Sequence, residues 1–193
     1  MVEMAIVASL LFIVVLGFVD FGYAFYQWNA ANKAVQAGAR LASISNPVAV
    51  NLPDAVDDAH LPATRLPGDD VASGAYDYVC DGASFDTENC NSDAFNLIYA
   101  GDDGVCGGTA NPGRPGMCDF FPRLEKKNVK IEYVATGLGY WTRPGGPVPT
   151  IKVSLQNLTF QFYFLGGLLG FNDIDIPSMV STVTGEDLDS SSP

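Results

Sequence analysis

The chain has 193 residues, of which 48% are hydrophobic and 17% charged, and 22 acidic residues against 10 basic ones give a formal net charge of -12. This acidity argues against nucleic acid as a partner, because a phosphate backbone requires a surface rich in lysine and arginine. The single histidine, His60, leaves little with which to build a histidine-centred metal site or catalytic pair. We therefore expect no enzymatic activity, no metal and no cofactor.

The first predicted element is a helix over residues 1–45. Residues 4–19 form an uncharged apolar run, and helix-forming residues then continue until Asn46-Pro47. Such a helix is on the order of 60 Å long, about twice the thickness of a bilayer's hydrocarbon core. Its apolar half fits a membrane span or the core of a filament.

Two carboxylates flank the apolar run. Glu3 and Asp20 lie 17 residues apart, which on a helix is about 25 Å and close to the hydrocarbon thickness. A carboxylate at the edge of lipid is costly unless it is neutralised. Each is therefore a candidate for pairing with another subunit, or both mark the two membrane interfaces. Aromatic residues from Phe21 to Trp28 fit an interfacial belt.

Small residues along the helix have two predicted roles. Gly17 and Gly22 add backbone freedom, so we expect the helix to loosen near them when it is packed. Further along, small residues recur at every fourth position and let another element approach the backbone closely. These residues are Ala30, Ala34, Gly38 and Ala42. We expect this ridge to pack on the chain's own sheet.

Residues 46–125 are predicted to be an acidic, Gly/Pro-rich loop insertion. Within it, residues 51–125 carry 14 acidic residues against three basic ones. Carboxylates between Asp81 and Asp103 are oxygen ligands of the kind that calcium prefers, but their spacing lacks the order of an EF-hand loop. Solvated acidic loops are the favoured interpretation, and calcium stays open.

All four cysteines lie in this insertion. An even number of cysteines in a loop-rich segment indicates disulfides and an oxidising compartment. Sequential pairing is favoured, with the other two connectivities left open, whereas the wide spacing is unlike that of a zinc site. The residues are Cys80, Cys90, Cys106 and Cys118.

The residues that flank the apolar run conflict with export of the chain to an oxidising compartment. A secretory signal opens with basic residues, but Glu3 stands in that region. The nearest basic residues, Lys33 and Arg40, would by the positive-inside rule keep the rest of the chain in the cytoplasm. Both facts are reconciled if the chain is processed from a precursor with a basic leader, which we take as a hypothesis.

Residues 126–185 are predicted to be an antiparallel sheet, followed by a disordered tail over residues 186–193. Alternating apolar and polar residues predict strands at 128–136, at 150–164 and within 174–184. Pro177 confines the last strand to an edge or a bulge. The apolar run 160–171 is too short to span a bilayer. It is either a loop that contacts a neighbouring subunit or the membrane surface, or part of the core.

Two short segments resemble those of a known family. Val2-Glu3-Met4-Ala5 and Gly38-Ala39-Arg40 are similar to the VEFA and EGAR segments of TadE-like pilins of tight-adherence (type IVb-related) pilus systems. The resemblance covers residues 1–45 well and the sheet in outline, and it does not account for residues 46–125. Together with the predicted elements it implies an α+β, pilin-like fold, in which a long N-terminal helix packs on a small antiparallel sheet.

The resemblance also implies a function. A prepilin peptidase would remove a leader, and the assembly machinery would extract the helix from the inner membrane into a helical filament of identical copies outside the cell. Glu3 would neutralise the N-terminal amine of an adjacent subunit. The alternative is a single-span, membrane-tethered extracellular binding or adhesion module. A Glu3→Ala change distinguishes the two, because only the pilin needs Glu3 to assemble.

Overall fold

The structure of the chain is a computed structural model that describes residues 2–107, 113–160, 162–164, 166, 174–185 and 188. The helices are α1 (Val2–Ile44), α2 (Ser92–Ala100) and α3 (Met117–Phe120), with a 3-10 turn at Lys126–Asn128. The strands are β1 (Asp77–Asp81), β2 (Val129–Val134), β3 (Thr150–Leu155), β4 (Thr159–Phe160), β5 (Ile174–Asp175) and β6 (Met179–Thr184). The predicted α+β, pilin-like architecture is confirmed.

The main sheet is antiparallel and has the strand order β1-β2-β3-β6, and β4 and β5 form a separate two-stranded ribbon. Burial alternates along β2 and β3, as a sheet with one covered face requires. The residues that face the core from these two strands are Val129, Ile131, Tyr133, Ile151, Val153 and Leu155. Pro177 lies between β5 and β6, and β6 is an edge strand, as expected.

The second half of α1 covers the buried face of the sheet. It contacts β3, β6, α2 and α3, and its inward stripe includes Ala31, Val35 and Leu41 beside the predicted ridge. Beyond the helix, the phenol oxygen of Tyr133 accepts a hydrogen bond from the backbone N–H of Val48 at 3.0 Å. The helix and the chain that leaves it are therefore both fixed to the sheet.

The insertion contains more regular structure than its composition predicts. β1 extends the sheet beside β2, and α2 is capped by Asn91, whose side chain accepts hydrogen bonds from the N–H groups of Asp93 and Ala94. That cap satisfies donors that the first helical turn leaves free. The tail 186–193 lies outside the described residues except for Leu188, and the run 160–171 is described only at Phe160, 162–164 and 166.

Candidate assembly helix and its junction with the head

The first half of α1 projects from the rest of the molecule. We call residues 4–19 the apolar half, and all described residues after Ile44 the head. Every residue from Glu3 to Val15 is exposed, and the helix is long and apolar enough to cross a membrane. An apolar surface that surrounds the helix on all sides, with no protein against it, requires another apolar environment.

Contact with the head begins near Asp20. Leu16 and Gly17 are partly covered, and Asp20 is 0% exposed although Val19 and Phe21 on either side of it are exposed. One face of the helix is then buried at intervals of three and four residues down to Ala42, which is the period of an α-helix. The helix thus passes from fully exposed to half-buried at a carboxylate.

The carboxylate of Asp20 binds the backbone of a distant loop. One of its oxygens accepts the N–H of Tyr163 and the other accepts the N–H of Phe164, both at 3.0 Å. Tyr163 also lies against Tyr23, with ring centroids 4.9 Å apart and hydroxyl oxygens 3.3 Å apart. We call Asp20, Tyr163 and Phe164 the latch, because the two hydrogen bonds join the helix to this distant loop.

A second polar contact lies two turns further along α1. The guanidinium of Arg123 donates a hydrogen bond to the side-chain oxygen of Gln27 at 2.8 Å, and Gln27 is buried. The ring of Trp28 packs near that of Phe160, with centroids 6.3 Å apart. Phe160, the loop residues 163–164 and the segment at Arg123 are thus all held to the helix.

Asp20 therefore already has partners within its own chain. Its predicted pairing with another subunit remains a prediction, and the same two oxygens would have to serve it. Glu3 differs, since it is exposed and has no ion-pair partner in the described part of the chain. Of the two carboxylates, Glu3 is the one available to a neighbouring chain.

The small-residue ridge, which was expected to pack on the sheet, lies on the face of α1 that the head covers. All four of its members, Ala30, Ala34, Gly38 and Ala42, are buried. The closest approach is at Gly38, where an added Cβ would stand 2.5 Å from Sδ of Met117. A side chain at that position would overlap the side chain of Met117 on α3, so the glycine provides space rather than a special backbone conformation.

The helix is continuous through Gly17 and Gly22. Neither glycine has a heavy atom within 4 Å of the position that a Cβ would occupy. The predicted loosening concerns the packed helix, so for this single chain it remains a prediction.

The comparisons with known proteins match this same part of the chain. Residues 1–40 match the family model described as TadE-like protein. The N-terminal segment is TadE-like. The resemblance predicted from the sequence is confirmed over these 40 of 193 residues. Neither a curated protein nor a solved structure matches the chain.

Outside the TadE-like segment, two disulfides constrain the head. Cys80 is bonded to Cys90 and Cys106 to Cys118, which is the sequential pairing. The first ties β1 to the residue before the cap of α2. These bonds stabilise a loop-rich segment chiefly by restricting its unfolded state.

The aspartates of the head build its loops. The carboxylates of Asp57, Asp81, Asp86 and Asp103 each accept a backbone N–H two or three residues further on, and that of Asp69 accepts the N–H of Leu66, three residues before it. Such carboxylates bind backbone N–H groups that no helix or strand satisfies, and they thereby stabilise turns. A hydrogen bond from Asn89 lowers the pKa of Asp86 below its usual value, which keeps this carboxylate charged.

Another aspartate joins two loops of the head. Asp102 receives hydrogen bonds from both the side chain and the backbone N–H of Arg114, and these lower the pKa of Asp102. Across the described residues, no group of three or more His, Cys, Asp or Glu side chains could hold a metal ion. The described acids therefore shape the head and give it negative charge.

Proposed function

We propose that the chain is a structural subunit, a pilin, of an extracellular Tad-like pilus, which polymerises through its N-terminal helix and displays an acidic, disulfide-stapled head for attachment to surfaces. The observation that carries the proposal is the apolar half of α1. It lies within the TadE-like residues 1–40 and is exposed on all sides, yet it continues without a break into a helix buried in the head.

The size of the exposed surface supports this proposal. Fourteen large apolar side chains are exposed between Met4 and Tyr26. Burying such side chains is worth roughly 1.5 to 3 kcal/mol each, so the whole surface represents on the order of 20 to 40 kcal/mol. A membrane before assembly and a bundle of identical helices after assembly would each remove this surface from water.

Glu3 supplies the specific contact in the proposed filament. An exposed carboxylate at one end of an apolar helix is unfavourable in a dry bundle unless a cation meets it. The N-terminal amine of an adjacent subunit is such a cation. An ion pair of this kind sets the axial position of one subunit against the next more than it adds stability.

The negative charge of the head supports the proposal that it faces outward in the filament. Residues 51–125 carry 14 acidic residues against three basic ones, and many of the described aspartates lie in turns and loops outside the helices and strands. A strongly charged surface keeps an exported assembly soluble. The proposed partners are copies of the chain, the inner membrane, a prepilin peptidase and the assembly machinery.

The test removes the charge of Glu3 and compares it with a matched change in the head. Glu3→Ala and Glu3→Gln should abolish filaments in the fraction sheared from cells while the amount of chain in the membrane is maintained. Glu88→Gln is the control, because Glu88 is an exposed carboxylate of the head. If all three variants assemble like the natural chain, the proposal is wrong and a tethered binding module takes its place.

A further inference from the structure

The position of the latch along α1 indicates how deep it would lie in a membrane. A membrane helix needs about 20 residues to cross a hydrocarbon core of ~30 Å. Counted from Glu3, whose charge belongs outside the core, 20 residues end near Tyr23. Asp20 and the loop that it binds therefore lie at the boundary between hydrocarbon and lipid headgroups, where the membrane stage of the proposed function places the chain.

Exposed aromatic side chains surround the helix at this level. Tyr163 is 61% exposed and Phe164 is 43% exposed, although their backbones are bound to Asp20. On the side of Asp20 that leads to the head, exposed aromatics of the helix lie within the next two turns. We call the whole set the aromatic collar, which consists of Phe21, Phe25, Tyr26, Tyr163 and Phe164. Aromatic residues, tyrosine in particular, concentrate where lipid meets water.

The latch also makes the loop compatible with lipid. Irregular backbone at membrane depth is tolerated only where its N–H and C=O groups are satisfied, since no water is there to bind them. The N–H groups of Tyr163 and Phe164 are both satisfied by Asp20. The same bonds shield the carboxylate, which is 0% exposed.

A basic group lies just beyond the collar. Arg123 is exposed and binds Gln27, which is seven residues from Asp20 and thus about 10 Å further along the helix. That distance places the guanidinium among the headgroups, where it can meet a lipid phosphate. The order along the helix is apolar, aromatic and then basic, which matches the order of layers in a bilayer.

We propose that the aromatic collar, together with Arg123, is a second membrane contact, through which the head lies against the lipid headgroup interface beside the spanning helix. This rests on the proposed function only in that α1 spans the inner membrane before assembly. The loop at 163–164 is then held by Asp20 at a fixed depth. The head is not a free domain on a tether but has a defined orientation on the bilayer.

The experiment places a spin label in the collar and measures its depth. All four natural cysteines are in disulfides, so the new thiol of Tyr163→Cys is the one that a nitroxide reagent labels. The oxidised full chain is reconstituted into vesicles of phosphatidylethanolamine and phosphatidylglycerol. The accessibility of the label to oxygen, which dissolves in lipid, is compared with its accessibility to a water-soluble nickel chelate.

Leu66→Cys provides the control label. Leu66 is 71% exposed, and its loop hydrogen-bonds to Trp141 in the connection between β2 and β3, whereas the latch loop follows the opposite end of β3. We expect the label at position 163 to favour oxygen over nickel severalfold and the label at position 66 to favour nickel. If the label at position 163 is as accessible to nickel as the control, the proposal is overturned.

Two further measurements test whether Asp20 sets the depth of the loop and whether the collar contacts lipid or a neighbouring subunit. Adding Asp20→Asn to the labelled Tyr163→Cys chain should raise nickel accessibility, with the signal at position 66 unchanged; an unchanged signal at position 163 would show that Asp20 does not set the depth. If the label at position 163 is accessible to nickel in vesicles but shielded from nickel in sheared filaments, the collar binds a neighbouring subunit and the membrane contact is refuted. Loss of filaments in the Glu3 variants would refute the pilin without altering the vesicle result.

Discussion

Replacing Gly38 by alanine tests how tightly the helix is packed on the head. The new Cβ would stand 2.5 Å from Sδ and 2.7 Å from Cγ of Met117, a side chain that is 0% exposed. Ordinary contacts between such atoms are about 3.5 to 4 Å, so Met117 or the helix must move by about 1 Å. Overpacking of this kind costs roughly 1 to 3 kcal/mol.

A second effect acts in the opposite direction. Alanine is favoured over glycine inside a helix by about 1 kcal/mol, so the net loss of unfolding free energy for Gly38→Ala is about 1 kcal/mol. For a chain of this size that lowers the melting temperature by about 2 to 4 °C. Near-ultraviolet circular dichroism of the full chain in mild detergent measures it.

Two matched variants decide whether the reasoning holds. Gly22→Ala has no atom within 4 Å of its Cβ position, so it should leave the melting temperature unchanged or raise it. In a Met117→Ala background, Gly38→Ala should become neutral or stabilising, because the overlap is gone. If Gly38→Ala raises the melting temperature as much as Gly22→Ala does, the predicted close contact is wrong.

Three other outcomes can be checked. Replacing Cys80 and Cys90 with serine should cost roughly 3 kcal/mol of unfolding free energy, since the disulfide closes a loop with a sequence separation of 10; a denaturant titration showing less than about 1 kcal/mol would contradict this estimate. Burial raises the pKa of Tyr133 from 10.0 to about 12, so the neutral phenol stabilises the fold fully below pH 10, and this contribution is lost as the pH rises through 12. Between pH 10 and pH 12 the unfolding free energy of the natural chain should fall by about 3 kcal/mol more than that of Tyr133→Phe. If the unfolding free energies of the two chains fall equally over this range, the effect is absent. In a filament reconstruction the helix should loosen near Gly17 and Gly22, and an unbroken helix there would refute it.

The parts of the fold with regular periodicity could be predicted from the sequence. The alternation identified β2 and β3 and their buried faces, although the predicted strand 150–164 was too long, since β3 ends at Leu155. The four-residue spacing of small residues identified the face of α1 that packs on the head. In these elements a single repeated pattern decides the structure, because one face is buried throughout.

The parts that could not be predicted from the sequence depend on contacts between distant residues. β1 is a five-residue edge strand in which Cys80 alone is fully buried, so it has little alternation to detect. α2 is short, and the local signals of its start are the cap at Asn91 and the acidic Asp93 in its first turn. Asp20 in an apolar helix indicated a need for a partner. Nothing near it in sequence indicates the loop 143 residues away that meets that need.

The central claim is that the chain is a filament subunit. It is tested most directly by intact mass and N-terminal sequencing of the native chain, in material sheared from cells and in the membranes left behind. We expect an abundant chain with a processed N-terminus and two disulfides in the sheared fraction. A chain that stays wholly in the membrane with an unprocessed N-terminus would contradict the claim.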